Sequence, residues 1–312
     1  MDRDSDIAAP VKIFGATPAR RLVLALSLVC AYAAGQSPKS AASADQSGFS
    51  NPQRVTIRGY YGDAMEPFLS RDGKILFFNN LNDPKVNTNL YWAERVDDLT
   101  FQFKGEVGGV NTLALEGVAS MDRDGMFYFV SPRSYDQTAS TLYRGHFANG
   151  SVTGVELVPG VSLAKPGIVN FDAEISADGN TLYFVESQFE HGGPRRAHIL
   201  LARRNGNVFV RSADSERIMK TINAGTLPGT LNYAPATAAS GLEIFFTRVD
   251  PGGPPAIYVA RRTDIAAPFG EPVKIEAASG FVEGPTLSPD EKSLYFHKRE
   301  NGHFVLYRVT RP

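Results

Sequence analysis

The amino-acid sequence predicts an all-β protein closed as a five-bladed β-propeller, and three observations carry that expectation. A short pattern occurs five times, at EPFLSRDGKILFF from Glu66, VASMDRDGMFYF from Val118, DAEISADGNTLYF from Asp172, APATAASGLEIFF from Ala234 and GPTLSPDEKSLYF from Gly284. Its turn positions, Gly73, Gly125, Gly179, Gly241 and Glu291, stand 52, 54, 62 and 50 residues apart. That period marks a repeated supersecondary unit, each copy of which buries its apolar face only by stacking on its neighbours. Finally, the fifth copy ends at Pro312 after its third strand, while FSNPQRVTI (49–57) shares a Phe-x-x-Pro layout with FGEPVKI (269–275), the fourth strand of the fourth copy. An N-terminal strand completing the last blade would close the ring without an exposed sheet edge. A six-bladed ring is the alternative.

Each repeat reads as four antiparallel strands, A to D, with A innermost. In the first, residues 66–70 form A, and Asp72-Gly73 supplies the positive φ of a tight hairpin. KILFFN (74–79) forms B, TNLYWAER (88–95) forms C, and a weaker stretch near 103–107 forms D. The C strands of the other copies are TLYRGHF (141–147), HILLARR (198–204), AIYVARR (256–262) and FVLYRVT (304–310). Four-stranded sheets repeated radially make a propeller, and one such domain spans 49–312. The 20 Phe and 12 Tyr suit half-buried strands and read as blade packing.

Residues 1–35 read as a cleaved signal peptide: Arg20 and Arg21 precede the apolar run 22–34, which is short for a membrane span, and Ala31-Tyr32-Ala33 fits the cleavage rule. Residues 36–48 read as a flexible linker. The expected location is periplasmic or secreted, and the expected mature chain is a monomer with no integral span. Cys30, the only cysteine, leaves with the signal, so no disulfide follows. Removing four basic and three acidic residues with positions 1–35 leaves 28 Lys/Arg against 30 Asp/Glu, a balance that offers no field for nucleic acid. Five scattered histidines show no metal-ligand spacing, and no cofactor motif occurs.

The repeats PTLSPDEKSLYF (285–296) and PFLSRDGKILFF (67–78) resemble the PD40, or WD40-like, propeller family, to which the periplasmic Tol-system protein TolB belongs. The resemblance covers residues 49–312 and implies a scaffold. Ala119 and Ala173 replace the motif proline, Ser240 the turn Asp and Glu291 the turn Gly, and no TolB-type N-terminal α/β domain is visible.

In such a blade the start of A and the end of B lie at one end of the sheet, so those ends converge on one mouth of the channel. The mouth is expected to gather Glu66, Glu116, Asp172 and Glu283 from the A starts, and Asn79, Asn80, Arg133, Glu186, Arg248 and His297 from the B ends and B–C loops, with Tyr61, Phe171, Tyr233 and Phe281 flanking them. Glu174, Asp122, Asp124, Asp178 and Asp290 sit in or beside the A–B turns and read as structural. Two functions fit. One is a binding or scaffold module holding a protein, peptide or saccharide through Glu66, Glu116, Arg133, Asp172, Tyr233, Arg248, Glu283 and His297. The other is a glycan-active hydrolase or lyase using Glu66, Asp172 and Glu283, since five-bladed propellers also house furanosidases. Hydrolysis needs two carboxyls about 5–5.5 Å apart for retention or about 6.5–9.5 Å for inversion, one of them protonated. A site on the long third-blade loops, 187–197 and 205–231, is the remaining location.

Overall fold

The computed structural model describes residues 46–82, 86–190 and 193–312. The expected signal peptide and residues 36–45 of the expected linker lie outside the described residues. Ser47 is buried, and its carbonyl accepts the Arg261 guanidinium at 3.1 Å.

Five sheets follow one another, each with its inner strand first in sequence. Blade one has β3 (Met65–Leu69), β4 (Ile75–Asn79), β5 (Leu90–Asp97) and β6 (Thr100–Glu106). Blade two has β7 (Gly117–Met121), β8 (Met126–Val130), β9 (Leu142–Ala148) and β10 (Ser151–Leu157). Blade three has β11 (Ile168–Ile175), β12 (Thr181–Glu190), β13 (Gly193–Asn205) and β14 (Val208–Arg211). Blade four has β15 (Leu231–Thr237), β16 (Glu243–Val249), β17 (Ala256–Arg261) and β18 (Val273–Lys274). Blade five has β19 (Val282–Leu287), β20 (Ser293–Glu300) and β21 (His303–Thr310), and its outer strand is β1 (Ser50–Arg54). The ring is therefore five-bladed and closed by the N-terminal strand, as the repeat pattern predicts.

One refinement concerns that closing segment, expected as a single strand over 49–57. It is two strands on two blades. β1 pairs antiparallel with β21, then the Val55 amide donates to the Leu306 carbonyl (2.8 Å), and β2 (Thr56–Arg58) runs parallel along β6. β2 thereby covers the outer edge of blade one, while Pro52, which has no amide to donate, sits on an edge strand where none is needed. Phe49, just before β1, packs edge-on against Phe245 of blade four at 5.8 Å beneath the Arg311 guanidinium. The buried apolar residues likewise form layers between blades: one of them holds Phe77 of blade one with Phe127 and Phe147 of blade two, and another Phe78 and Phe101 of blade one with Tyr295 and Leu306 of blade five. Stacking across blades, rather than a single centre, is thus the core.

The five A–B turns share a left-handed residue, with φ of 72° at Gly73, 85° at Gly125, 71° at Gly179, 67° at Gly241 and 59° at Glu291. Glu291 adopts the repeat geometry at the expense of strain, partly offset because its carboxylate accepts the Ala239 amide of the neighbouring turn at 2.8 Å.

Phe49→Ala, which empties the wedge between blades four and five, is expected to cost about 3–5 kcal/mol in chemical denaturation. Gly179→Val should destabilise more than Glu291→Gly, because it puts a β-branched side chain at positive φ with its Cβ 2.8 Å from Asp122 Oδ2. Glu291→Gly exchanges relief of about 1 kcal/mol of strain for one lost hydrogen bond, and its melting temperature should stay near that of the parent chain.

Candidate functional site at the channel mouth

The inner strands all break register at one place: between Met65 and Phe68, Gly117 and Ser120, Phe171 and Glu174, Tyr233 and Ala236, and Glu283 and Thr286. In each break the bulged residue is left-handed, with φ of 49° at Glu66, 55° at Val118, 47° at Asp172, 49° at Ala234 and 63° at Gly284. These five residues are the starts of the five repeats read from the sequence. A bulge re-aims a side chain and frees an amide from the ladder. Here all five residues line one cavity on the propeller axis, of about 20 Å³, enough for about one water molecule.

Four of the five freed amides are taken up by the preceding blade. Val118 N–H donates to Asn79 Oδ1 (3.2 Å), Gly284 N–H to Thr247 Oγ1 (3.1 Å), and Glu66 N–H to His297 Nδ1 (3.1 Å). Asn79, Thr247 and His297 hold the same repeat position, each opposite the residue before a bulge, namely Met65, Tyr233 and Glu283. Ala234 N–H instead donates to Asp172 Oδ2 (2.9 Å). In blade five this capping role sets the chemistry. Because Nδ1 of His297 accepts the Glu66 amide, the neutral ring carries its proton on Nε2, which donates to Glu283 Oε2 at 3.1 Å. The Tyr233 hydroxyl donates to Glu283 Oε1. His297 and Glu283 are fully buried, with Phe304 edge-on to the imidazole at 5.4 Å.

Glu66, Asp172, Glu283, His297 and Tyr233 therefore come together. Glu66 fits because the fifth bulge residue is glycine: a Cβ at 284 would lie 2.6 Å from Glu66 Oε2. Burial, with Asp172 and Glu283 adding to it against the opposing pull of His297, pushes the Glu66 carboxyl up to about 8. Burial and the Glu283 charge push Asp172 up to about 7, even though the Ala234 amide favours its anion. Burial opposes charge on His297 while Glu66 and Glu283 pull its pKa above the ordinary value, but a second proton would have to displace the Glu66 amide from Nδ1, so the hydrogen-bond geometry favours the neutral ring.

The other expected members lie elsewhere. Glu116 accepts from Thr112 N–H (2.7 Å), Thr112 Oγ1 (2.8 Å) and Ser131 Oγ (2.7 Å), and pairs with Arg133 at 3.4 Å, which ties down the loop between blades one and two. Arg133 lies over the Tyr143 ring and donates to the Val110 carbonyl. Arg248 is buried, donating to Asn232 Oδ1 and the Ile222 carbonyl over the Tyr258 ring. The arginines expected to complement the three carboxylates are thus held on blade faces by rings and loop carbonyls, and His297, Tyr233 and the Ala234 amide take that place. Phe171 and Tyr233 are buried and Phe281 half-buried, while Tyr61 stands almost wholly in solvent. Sequence reasoning missed Thr247, Gly284 and Val118, whose shared signal is their repeat position rather than their residue type. At the opposite end Arg71 spans the axis, donating to the Met121 carbonyl (3.1 Å) and Glu174 Oε1 (2.9 Å), and Ser120 and Thr237 also bond Glu174, so that end is closed structurally. Among the described residues no three or more His, Cys, Asp or Glu are arranged to hold a metal ion, and no helix is long and apolar enough to cross a membrane.

No protein-family profile and no curated protein sequence matches the chain. Among solved structures it is similar to a thermostable family-43 glycoside hydrolase (12% identity, 82% of this chain and 91% of that one, TM-score 0.52). It is also similar to the catalytic domain of the Coprinopsis cinerea GH62 α-L-arabinofuranosidase (12% identity, 85% and 96%, TM-score 0.50). TolB from Acinetobacter baumannii matches at 16% identity over 80% of this chain, TM-score 0.44, and the chain spans about half, 54%, of that protein. At these identities the likeness is one of fold: an all-β five-bladed propeller with TolB-like and glycoside hydrolase neighbours.

Unfolded, Glu66 and Asp172 titrate near 4.5 and 3.8, so between about pH 4 and pH 8 the folded chain binds more protons than the unfolded one. Their contribution is fully present below about pH 4 and is lost as pH rises through 7 and 8. Glu66→Gln should therefore raise the melting temperature at pH 8 and flatten its fall between pH 5 and pH 8; an unchanged slope would contradict a protonated Glu66. Gly284→Ala should destabilise by driving a methyl group into Glu66 Oε2.

Proposed function

We propose that this chain is an exported propeller of the PD40, TolB-like type that works as a binding module, seating a protein partner on its mouth face. One observation carries the reading. The loops that end at the inner strands present large apolar side chains to solvent: Tyr61 is 98% and Leu113 99% exposed, and Leu163 and Leu227 are exposed in the corresponding loops of the next two junctions. Apolar side chains exposed singly are ordinary on a protein surface, and what gives Tyr61 weight is the apolar groove that adjoins it. Beside Tyr61 a groove of about 560 Å³ runs between the 55–64 segment and β21, walled by Tyr60, Ile57, Leu306 and Phe304 and rimmed by Glu300 and His303, which suits an inserted peptide segment.

In this reading the buried carboxylates form the support beneath the rim. They hold the inner strands of blades one, three and five in place, and no ligand group has to reach them. The second reading, a glycan-active hydrolase or lyase, is favoured by the raised Glu66 and Asp172 carboxyls, since one carboxyl of a glycosidase must stay protonated near neutrality. Against it, the space they face holds about one water molecule and no sugar ring.

The double variant Tyr61→Ser, Leu113→Ser should keep the parent melting temperature and lose partners captured by cross-linking from a periplasmic extract. The triple variant Glu66→Gln, Asp172→Asn, Glu283→Gln should keep them. The opposite pattern, together with arabinan or xylan hydrolysis that the triple variant abolishes, would establish the enzyme reading instead.

A further inference from the structure

The largest departure from repetition lies in blade three. Its turn spacing to the next repeat is 62 residues, against 50 to 54 elsewhere. The extra length goes into a long β12–β13 hairpin and into the link from β14 to β15, which carries two short helices, α2 (Ser215–Ile218) and α3 (Lys220–Ala224); the first helix, α1 (Tyr135–Thr138), belongs to blade two. The other four blades close without such an addition, so the ring does not need it.

What the addition builds is a fixed cavity of about 540 Å³. β14 pairs only with the last four residues of β13, Ala202 to Asn205, and the helices stand in for it above: Asn223 Oδ1 accepts the Ile199 amide (2.9 Å), Asn223 Nδ2 donates to the Ile199 carbonyl (2.8 Å), and Ser215 Oγ accepts the Leu201 amide (2.9 Å). Ile218, Met219 and Ile222 anchor the helices in the core. At one wall Glu186 is buried and bound to Arg211 at 2.7 Å, with Arg211 in turn lying over Phe184. That carboxylate is neutralised. Three nitrogen-bearing side chains lining the same cavity are less committed. Arg196 has only Glu186, at 3.8 Å, and among the described residues neither the Lys220 ammonium nor the His198 ring has a hydrogen-bond or ion-pair partner. Glu216 is the remaining charged group of the wall, so the cationic groups outnumber the carboxylates in a chain whose formal net charge is −1.

We propose that this cavity is a binding site for a small organic anion, its carboxylate or phosphate held by Arg196 and Lys220 with His198 beside them, and its body packed on Leu200 against the α2–α3 roof. The site lies on blade three, on residues other than those of the axial cluster and other than Tyr61 and Leu113, and does not rest on the protein-partner reading. Burial, and Arg196 after it, lower the His198 pKa below the ordinary imidazole value against the weaker pull of Glu186 and Glu216. A bound anion reverses part of that balance, so binding should draw a proton onto the ring and tighten as pH falls.

The test uses the full propeller and three probes sharing a sugar body: glucose 6-phosphate, glucuronate and glucose. Calorimetry at pH 6.5 is expected to show binding of at least one anion and none of glucose. Arg196→Ala with Lys220→Ala, both exposed positions, should weaken that binding at least tenfold with the melting temperature unchanged, and the His198 ring proton should titrate at higher pH in the complex. Preference between the two anions distinguishes a phosphate from a carboxylate source. Tyr61→Ser with Leu113→Ser should leave the affinity as it was. The proposal fails if neither anion binds at millimolar concentration, if glucose binds equally, or if the double alanine variant binds as the parent does.

Discussion

The structure turns on five left-handed residues. At each inner strand a bulge forces one residue to positive φ and removes its amide from the ladder, and a buried amide without a partner is expensive. A side chain of the preceding blade supplies that partner in four of the five cases, through Asn79, Asp172, Thr247 and His297. One local distortion, repeated, therefore becomes an inter-blade bond near the axis. It complements the aromatic layers farther out: the layers are non-directional and hold blades together, while the bulge bonds fix the register of one inner strand against the next. For Val118 the arrangement is costly, since a β-branched residue tolerates this conformation poorly, and its persistence shows how strongly the surrounding blades determine the backbone there.

The same constraint explains the chemistry of the mouth. A capping residue needs an acceptor, and asparagine and threonine supply one with no further consequence. Histidine supplies one with its second nitrogen still to be satisfied, and in a dry environment that nitrogen requires an acceptor of its own. Glu283 meets the need, Tyr233 meets the need of Glu283, and the glycine at 284 leaves room for Glu66. A buried group of titrating side chains thus grows outward from a backbone requirement. Its raised carboxyl pKa values come first from burial, to which the charges of the neighbouring carboxylates add.

The sequence was most legible where repetition exposed it. Turn chemistry at Asp72-Gly73 and Asp178-Gly179, apolar alternation in the B strands and the missing fourth strand after Pro312 led to the blade count and to ring closure through the N-terminus. The convergence of Glu66, Asp172 and Glu283 also followed from strand order alone. What could not be read was the bulge, because nothing in Val118-Ala119 or Ala234-Pro235 announces a left-handed residue. Without the bulge, side-chain direction at the mouth is undetermined, and Arg133 and Arg248 looked as well placed as His297. Long arginine side chains turn to whichever ring and carbonyl lie nearest, here Tyr143 with Val110 and Tyr258 with Ile222, and strand position does not reveal that choice.

Asymmetry within the repeat is where function has room to reside. Residues required by the ring recur: the turn glycines, the bulge, the aromatic of strand B. Residues that the ring does not require break the pattern in two places. Around the mouth, Tyr61 and Leu113 put apolar surface into water, a cost in solubility that folding of the blades does not demand. In blade three, a longer hairpin and two short helices enclose a cavity and leave basic groups facing it without committed partners. Both features lie on segments whose backbone is fixed by the scaffold while their side chains are free of it. Preorganised binding surfaces have this combination, because the ordering cost has already been met when the fold forms.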